Sequence, residues 1–421
     1  MIKVGKLSNG LKIAVKEMPE MASCAIGIWI GAGGRYETPE ISGISHFVEH
    51  MLFKGTKTRN CQQIKEEIEG IGGYLNAFTS EECTCYYSKI IAGEYKKALE
   101  VLADMVINPL FDIKDINQER GVIIEEINMY QDLPMEHVHD VLGTIMWPDH
   151  PLGMFLTGTV DTVNSFNKDT FDNYKKDYYT PNNIVIACAG NIKFEELFAC
   201  AEKLFSNSKS NEIKPFKKFE QKQTSPCLKI LSKKTEQTHL SLGLKSYSRF
   251  NELKYALGLL NIVLGGNMSS RLFKEVREER GLAYSIRSSV NKYHDTGVFG
   301  ISAGVRNDKF NEAVALILEE LNKIKQGVSS DELERAKKYY TGNFLMGLEK
   351  TAERMLFLGE TVLSMDEKQI KTPNEIVKKI NNVTLEDVKH TANDIIKNEN
   401  LNLAVIGPIK SEDEISNIFK L

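Results

Sequence analysis

Apolar residues recur at helical spacing in several segments of the chain, while other segments show the composition of strands and turns. Leu99, Leu102, Ala103 and Val106 follow the i, i+3, i+4, i+7 spacing, which predicts a helix with one buried face. Residues 1–17 instead predict a strand, a Ser-Asn-Gly turn and a second strand. Both kinds of element therefore contribute to the fold.

A polar, charged stretch from residue 206 to 226 divides the chain into two halves that resemble each other. It has few large apolar residues and no clear periodicity, which is typical of a linker. The segment KEEIEGIGGYLNAF, from Lys65, corresponds to KEVREERGLAYSIRS, from Lys274, at an offset of 274 − 65 = 209 residues. Each segment predicts a helix, a glycine-containing turn and a strand.

This internal repeat predicts an α+β protein with two homologous units. Strands cluster in runs within each half, and helices are inserted between them. This pattern favours a mixed or antiparallel sheet with helices packed on one face over a doubly wound sheet. We therefore assign residues 1–205 to an N-terminal domain, 206–226 to a linker and 227–421 to a C-terminal domain.

The segment GISHFVEHMLFKGT, residues 43–56, contains two histidines and a glutamate within five positions of an apolar run. In a helix, His46 and His50 are one turn apart on one face, so both imidazoles can reach one metal ion. Glu49 lies on the same face, too close along the chain to be an easy third ligand but able to reach a metal-bound water. H-x-x-E-H is the inverted form of the H-E-x-x-H zinc motif. On this pentapeptide alone, an ordinary helix remains an alternative.

A second predicted helix, from Ile113, supplies a third ligand. Its apolar stripe consists of Ile116, Ile123, Ile127 and Tyr130. Glu119 and Glu126 fall on the same stripe two turns apart, and a carboxylate facing the core is costly unless it is paired or metal-bound. We assign Glu126 as the third ligand and Glu119 as a supporting carboxylate, whereas Glu125 points about 100° away. The alternative is that both carboxylates reach solvent or pair with Arg or Lys.

Composition and charge exclude several other classes of protein. The 421 residues are 42% hydrophobic and 26% charged with a formal net charge of −4, as in a globular protein and unlike a basic nucleic-acid-binding domain. The longest apolar runs are too short to span a membrane, and the N-terminus lacks a signal or transit pattern, so we expect a cytoplasmic protein. Seven scattered cysteines predict reduced thiols rather than a disulfide framework.

Taken together, these motifs resemble the pitrilysin/insulinase-type inverzincin zinc metallopeptidases, in particular small bacterial members close to the β subunit of the mitochondrial processing peptidase. GGRYETPEISGISHFVEHMLFKGT resembles the active-site segment of that family, and the separation of His50 and Glu126, 126 − 50 = 76, matches its distal glutamate. GGYLNAFTSEECTCYYSKI resembles its substrate-binding edge strand. SSRLFKEVREERGLAYSIRS, from Ser269, resembles the second-half segment with a substrate-binding Arg and Tyr.

The resemblance implies a zinc endopeptidase that hydrolyses unfolded peptides or presequence-like segments inside a chamber. One zinc ion per chain, held by His46, His50 and Glu126, would lower the pKa of a bound water towards ~7. Glu49 would be the general base on that water, with Glu119 in catalytic support.

The family likeness also suggests how the peptide is bound. The peptide would add as a strand near Asn76 and Ala77, although without the resemblance Asn76 would be interpreted as a turn residue. The second half would contribute Arg277 and, at the oxyanion, Tyr284. Position 46 + 209 = 255 has no His or Glu at ligand spacing around it, and the region matching the distal glutamate, KKYYTGNF, has no acid. The second half is therefore interpreted as a wall of the chamber without a metal site.

Larger family members close four such units around a substrate, so a chain with two units resembles half of a clamshell. We expect a homodimer in which Arg277 and Tyr284 face the metal from across the chamber, from the same chain or from its partner. We expect no nucleic-acid or membrane partner. Two alternatives remain: a non-catalytic scaffold or partner subunit of the same fold, and an unrelated zinc-binding regulatory module that would not need Glu49.

Overall fold

Eleven strands form two sheets in the part of the chain that the structure describes. The computed structural model describes residues 2–365, 369–409, 415 and 417–421. In chain order the strands are β1 Ile2–Lys6, β2 Lys12–Glu17, β3 Ser23–Ile30, β4 Tyr74–Thr79, β5 Thr84–Ile91, β6 Ile184–Gly190, β7 Cys227–Ser232, β8 Gln237–Ser246, β9 Ala283–Lys292, β10 Gly297–Arg306 and β11 Leu401–Gly407. The first sheet has the order β1-β2-β6-β3-β5-β4, and the second has the order β7-β11-β8-β10-β9.

The strands are connected mainly through α-helices. In chain order the helices are α1 Ile44–Leu52, α2 Cys61–Glu69, α3 Tyr95–Ile107, α4 Ile113–Asp132, α5 Pro134–Met146, α6 Val160–Ser165, α7 Lys168–Tyr178, α8 Phe194–Phe205, α9 Lys254–Leu264, α10 Phe310–Ile324, α11 Ser330–Gly347, α12 Thr351–Ser364, α13 Pro373–Asn381 and α14 Leu385–Ile395. A π-helical segment, Phe273–Glu279, precedes β9. None of the helices within these described ranges combines the length and the hydropathy needed to cross a membrane.

The two sheets share one topology apart from the additional strand β1. In each sheet one parallel pair, β2 with β6 or β7 with β11, is followed by antiparallel pairs. Strand β4 begins at residue 74 and β9 at residue 283, which reproduces the offset 283 − 74 = 209 found in the sequence. These features confirm the predicted α+β class with two homologous repeats.

The compact units do not coincide with the two halves of the sequence. The first unit comprises the described residues of 1–128, 154–217 and 345–372, and the second comprises those of 129–153, 218–344 and 373–421. Helix α5 therefore belongs to the second unit, where it packs on β8 and β11, and α12 belongs to the first, where it packs on β2, β3 and β6. Helix α5, from the first half of the sequence, therefore packs on the second sheet, and α12, from the second half, packs on the first sheet.

This exchange follows from apolar residues on both faces of the sheets. Along β3, Ile26, Ile28 and Ile30 lie in the main core of the first unit. Ala25 and Trp29 point to the opposite face, into a smaller core that includes residues of α12. A sheet that is apolar on both faces needs cover on both. We expected helices on one face of each sheet. The structure adds one helix on the opposite face, α12 on the first sheet and α5 on the second.

The expected linker has no regular structure over residues 208–224, but it is anchored within each unit. In the first unit the guanidinium carbon of Arg35 lies 4.0 Å from the ring centroid of Phe216. In the second, Nζ of Lys245 lies 5.4 Å from the ring centroid of Phe219. Cation–π contacts of this kind stabilise by about 0.5–2 kcal/mol, so the connection is held at two aromatic residues.

We expect Gly359→Ala in α12 to destabilise the first unit by about 1–3 kcal/mol, because an added methyl group would overpack the contact with β3. A Cβ atom at position 359 would overlap the indole ring of Trp29. Gly342→Ala is the matched control, since a Cβ atom there meets nothing within 4 Å and α11 should gain about 0.5–1 kcal/mol. Thermal unfolding of both variants tests the packing. Equal shifts of the two midpoints would contradict it.

Candidate metal centre

Helix α1 carries both motif histidines, and a glutamate from outside the helix caps its first turn. The residue preceding the helix is Gly43, whose φ of 92° lies in the left-handed region and which has no side chain to cap the helix. Instead, the buried Glu37 accepts hydrogen bonds from the N–H groups of Gly43 and Ser45 at 2.7 and 2.8 Å. Burial raises the pKa of Glu37 to about 7, although the N–H donors act to lower it. The cap fixes the start of the helix that presents the histidines.

The three predicted ligands lie together between α1 and α4. Nε2 of His46 is 3.6 Å from Oε2 of Glu126, and Nε2 of His50 is 3.7 Å from the same oxygen. One ligand atom from each residue lies within 4.8 Å of the others. A tetrahedral zinc ion with bonds of ~2.0–2.1 Å separates neighbouring ligand atoms by ~3.4 Å, so the cluster fits zinc with little movement.

The pKa shifts of these side chains are also those expected of ligands for a metal cation. Burial, with a smaller contribution from His50, lowers the pKa of His46 to about 3, so its imidazole is neutral and offers a lone pair. Burial raises the pKa of Glu126, because its charge is poorly compensated. The distances of 3.6 and 3.7 Å between these nitrogens and the carboxylate exceed a hydrogen bond. A metal ion would compensate the carboxylate and join the three groups.

Glu119 orients His50 and lies outside the ligand cluster. Its Oε1 is 2.9 Å from Nδ1 of His50, and its Oε2 forms an ion pair with Lys54. Burial would raise the pKa of Glu119, but the contacts with His50 and Lys54 hold it below its usual range. An ionised carboxylate only accepts, so Nδ1 carries the proton and Nε2 remains available to a metal. Lys54 was not identified from the sequence, although it lies at i+4 from His50.

Glu49 is held by a residue that the sequence analysis did not single out. Oγ1 of Thr79, the last residue of β4, donates a hydrogen bond of 2.7 Å to Oε2 of Glu49. Burial raises the pKa of Glu49 even though this hydrogen bond acts to lower it. A raised pKa brings a carboxylate closer to the basicity that suits a general base. The sequence segment containing Thr79 was recognised as an edge strand, but its contact with α1 is a tertiary feature.

Asn76 and Ala77 lie on β4, at the edge of the first sheet. Both are half-buried, and the Asn76 amide donates a hydrogen bond of 2.6 Å to the hydroxyl of Tyr74. Asn76 is therefore a strand residue rather than a turn residue. The outer edge of β4 pairs with no other strand of the described residues, which leaves it open to an added strand.

Arg277 and Tyr284 lie together in the second unit. The guanidinium carbon of Arg277 is 5.7 Å from the ring centroid of Tyr284 and 4.7 Å from that of Phe273. In the pairing of β9 with β10, Ser285 is opposite Gly304 while residue 283 is opposite residue 305, so Tyr284 is the extra residue of a β-bulge. Its side chain is 76% exposed. Bulges on edge strands redirect side chains in this way and recur beside functional sites.

The second unit lacks a counterpart of the metal cluster within the residues described. Among those residues, His46, His50 and Glu126 form the one group of His, Cys, Asp and Glu side chains with the spacing of metal ligands. In helix α9, the offset of 209 residues matches His46 and His50 with Tyr255 and Leu259, and both of these are buried apolar residues of the second core.

Comparisons with known proteins match this arrangement. The family model described as insulinase, peptidase family M16, matches residues 12–160, and that described as peptidase M16 inactive domain matches residues 165–340. Over 97% of its length the chain is 42% identical to an uncharacterized zinc protease, YmxG, of Bacillus subtilis, and it covers 98% of that protein. It is 36% identical over 96% of its length to an uncharacterized zinc protease of Streptomyces coelicolor, covering 89% of it.

Solved structures share the fold. A protease from Helicobacter pylori superposes with a TM-score of 0.91 at 23% identity, with 97% of this chain and 99% of that chain covered. A peptidase M16 inactive domain from Pseudomonas fluorescens superposes with a TM-score of 0.88 at 18% identity, with 97% and 99% covered. At these identities the likeness concerns the fold alone.

A duplicated α+β scaffold with an H-x-x-E-H helix and a distal glutamate defines the inverzincin class of metallopeptidase. The chain belongs to peptidase family M16, as the extensive identity to its relatives shows. The predicted resemblance is thereby confirmed. At the level of the family the protein is a protease, and its relatives are named zinc proteases.

We expect Glu37→Ala to lower the thermal midpoint and to weaken zinc binding, because two buried N–H groups at the start of α1 would lose their acceptor. Each unsatisfied group costs about 1–3 kcal/mol. Glu40→Ala is the matched control, since Glu40 is an exposed glutamate three residues further along the chain. Calorimetric unfolding and zinc titration measure the two effects. Unchanged zinc affinity in the Glu37 variant would contradict a role of this cap in holding the histidines.

Proposed function

We propose that this protein is a zinc-dependent endopeptidase that hydrolyses peptide bonds in unfolded peptides or presequence-like segments, with one zinc ion per chain. The observation that carries the proposal is the convergence of His46, His50 and Glu126 with the carboxylate of Glu49 beside them. A zinc-binding module with only a regulatory role would have no use for a fourth polar side chain held beside its ligands.

The roles of the protein side chains follow from their contacts. Bound zinc would polarise the scissile carbonyl and lower the pKa of a coordinated water to about 7. The hydrogen bond from Thr79 engages Oε2 of Glu49 and leaves Oε1 as the atom that takes the proton of the attacking water. Glu49 then returns this proton to the leaving amine. Glu119 and Lys54 keep His50 in the orientation and tautomer that a metal needs.

The peptide would bind along the free edge of β4. Main-chain hydrogen bonds to an added strand give affinity with little demand on sequence, which suits a peptidase for unfolded segments. Asn76 and Ala77 would lie beside such a strand. Arg277 and Tyr284 would bind the substrate, with the Tyr284 hydroxyl as a donor to the oxyanion.

Glu49→Gln should retain zinc and lose peptidase activity by about 10²–10⁴-fold, since Gln keeps the shape of the side chain but accepts no proton. Glu125→Gln is the matched control, because Glu125 is exposed on α4 next to a ligand and should keep both properties. Metal content per chain and cleavage of a quenched fluorescent peptide measure the two effects.

Loss of metal with unchanged activity in the Glu49 variant would refute the assigned role. A wild-type protein with one zinc per chain and no cleavage of any peptide would instead support the non-catalytic partner subunit. These two results are distinct, because the first concerns one side chain and the second concerns the whole site.

We also propose that the protein acts as a homodimer, because the chain contains two repeats where larger family members use four. Light scattering should give a mass of twice the 47.5 kDa of one chain. Mixing the Glu49→Gln protein with the Tyr284→Phe protein then tests which chain of the dimer supplies Tyr284 to each active site. Recovered activity would assign Tyr284 to the partner chain, and no recovery would assign it to the same chain. A monodisperse monomer with full activity would contradict the dimer.

A further inference from the structure

In the first unit, the loop that precedes α1 packs against the hairpin turn between β4 and β5. The N–H of Gly34 donates a hydrogen bond of 3.1 Å to the carbonyl of Ser80, and the N–H of Arg35 donates one of 2.7 Å to the carbonyl of Glu81. A Cβ atom at Gly33 would lie only 2.0 Å from the carbonyl oxygen of Ser80, so the approach requires a glycine. The two segments therefore pack backbone against backbone.

The side chain of Arg35 adds an ion pair to this contact. Its Nη1 lies 2.6 Å from Oε1 of Glu82 in the hairpin turn, and the arginine is buried while the glutamate side chain is 12% exposed. Its Nη2 donates a hydrogen bond of 3.2 Å to the carbonyl of Lys217, and the ring of Phe216 covers the guanidinium. Breaking a buried ion pair is costly, because a charge is left without its partner. Displacing the hairpin would remove this carboxylate from Arg35.

The hairpin turn connects this anchor with the candidate general base. Both the N–H and the hydroxyl of Ser80 donate to the carbonyl of Cys83, at 2.8 and 3.0 Å, so the turn has a defined shape. Thr79 directly precedes Ser80, and its hydroxyl donates the hydrogen bond of 2.7 Å to Oε2 of Glu49. The place of this hydroxyl therefore depends on where the hairpin docks.

The same loop also holds the helix that carries the general base. Glu37, two residues after Arg35, accepts hydrogen bonds from two N–H groups at the start of α1. One short loop thus contacts both sides of the hydrogen bond between Thr79 and Glu49, the hairpin through Arg35 and the helix through Glu37. The relative position of donor and acceptor is set by this single connection.

We propose that Arg35 is a positioning residue for the general base, because it anchors the hairpin where Thr79 occupies one oxygen of Glu49 and leaves the other for the attacking water. The proposal rests on the proposed peptidase function and adds a residue that acts through Thr79. Supporting contacts of this kind matter because a small misplacement of a reacting group can cost about 10²-fold in rate. A peptide added at β4 would bind the strand that shares this anchor.

Single substitutions test the two links of this chain of contacts. Thr79→Val should lower kcat by about 10- to 100-fold at unchanged KM and zinc content, since valine has nearly the same shape but no hydroxyl. Thr79→Ser should restore most of the activity. Arg35→Lys should also lower kcat, because lysine keeps the charge but lacks the planar fork. Glu82→Gln, which alters the same ion pair from the hairpin side, should reproduce that loss.

The double variant Arg35→Lys/Thr79→Val distinguishes a positioning role from a merely structural one. If Arg35 acts through Thr79, the double variant has the kcat of Thr79→Val alone, whereas independent effects multiply. Arg271→Lys is the matched control, since it alters another two-pronged pair, with Glu332 in the second unit, and should keep the wild-type kcat. Multiplied losses, or wild-type kcat in Thr79→Val or Arg35→Lys, would overturn the proposal.

Amide hydrogen exchange tests the anchor without turnover, in both the metal-free and the zinc-loaded protein. Arg35→Lys should speed exchange over residues 79–84 by about tenfold, because the docked hairpin loses a charged contact, and Arg271→Lys should not change it. Unchanged exchange in the Arg35 variant would overturn the anchor. A wild-type protein that cleaves no peptide would instead refute the peptidase function, and the exchange rates would still decide whether Arg35 holds the hairpin.

Discussion

The hydrogen bond between His50 and Glu119 joins two helices that would otherwise present a costly set of buried polar groups to each other. Around it, α1 and α4 bring two imidazoles and three carboxylates into one partly buried space. Burial lowers the pKa of His46 while it raises that of Glu126, so both groups resist being charged. A bound divalent cation would favour the ionised carboxylate of Glu126 and the neutral imidazole of His46, because it binds both forms together. Metal binding and the stability of the helix pair are therefore coupled.

The features that could be predicted from the sequence are those set by local periodicity. The i, i+4 spacing places His46 and His50 on one face, and an apolar stripe brings Glu126 to the side of α4 that faces the core. The contacts of Glu37, Lys54 and Thr79 with the site depend on how distant segments pack, which no local pattern encodes. For a similar reason, the sequence did not predict which sheet α5 and α12 pack on. An amphipathic pattern shows that one helix face is buried, but not which sheet covers it.

Duplication of the scaffold explains why two units with one topology differ in chemistry. Where α1 carries its ligands, α9 carries apolar residues that complete the core of the second unit. Beside α5, on the opposite face of its sheet, that unit carries Glu136, Arg277 and Arg287. There the bulge at Tyr284 interrupts the regular pairing of β9 with β10, beside a cavity lined by residues of α5, β8, β9 and β10. This irregularity is local, so it leaves the strand order unchanged.

The two units thus hold groups of opposite electrostatic preference. The first brings carboxylates and imidazoles together at the spacing of metal ligands, whereas the second places the guanidinium groups of Arg277 and Arg287 in the lining of a cavity. Strand addition at the edge of β4 would recognise only the peptide backbone and would accept most sequences. Discrimination between peptides then has to come from side-chain contacts, and charge is the property that discriminates most strongly at a partly desolvated site.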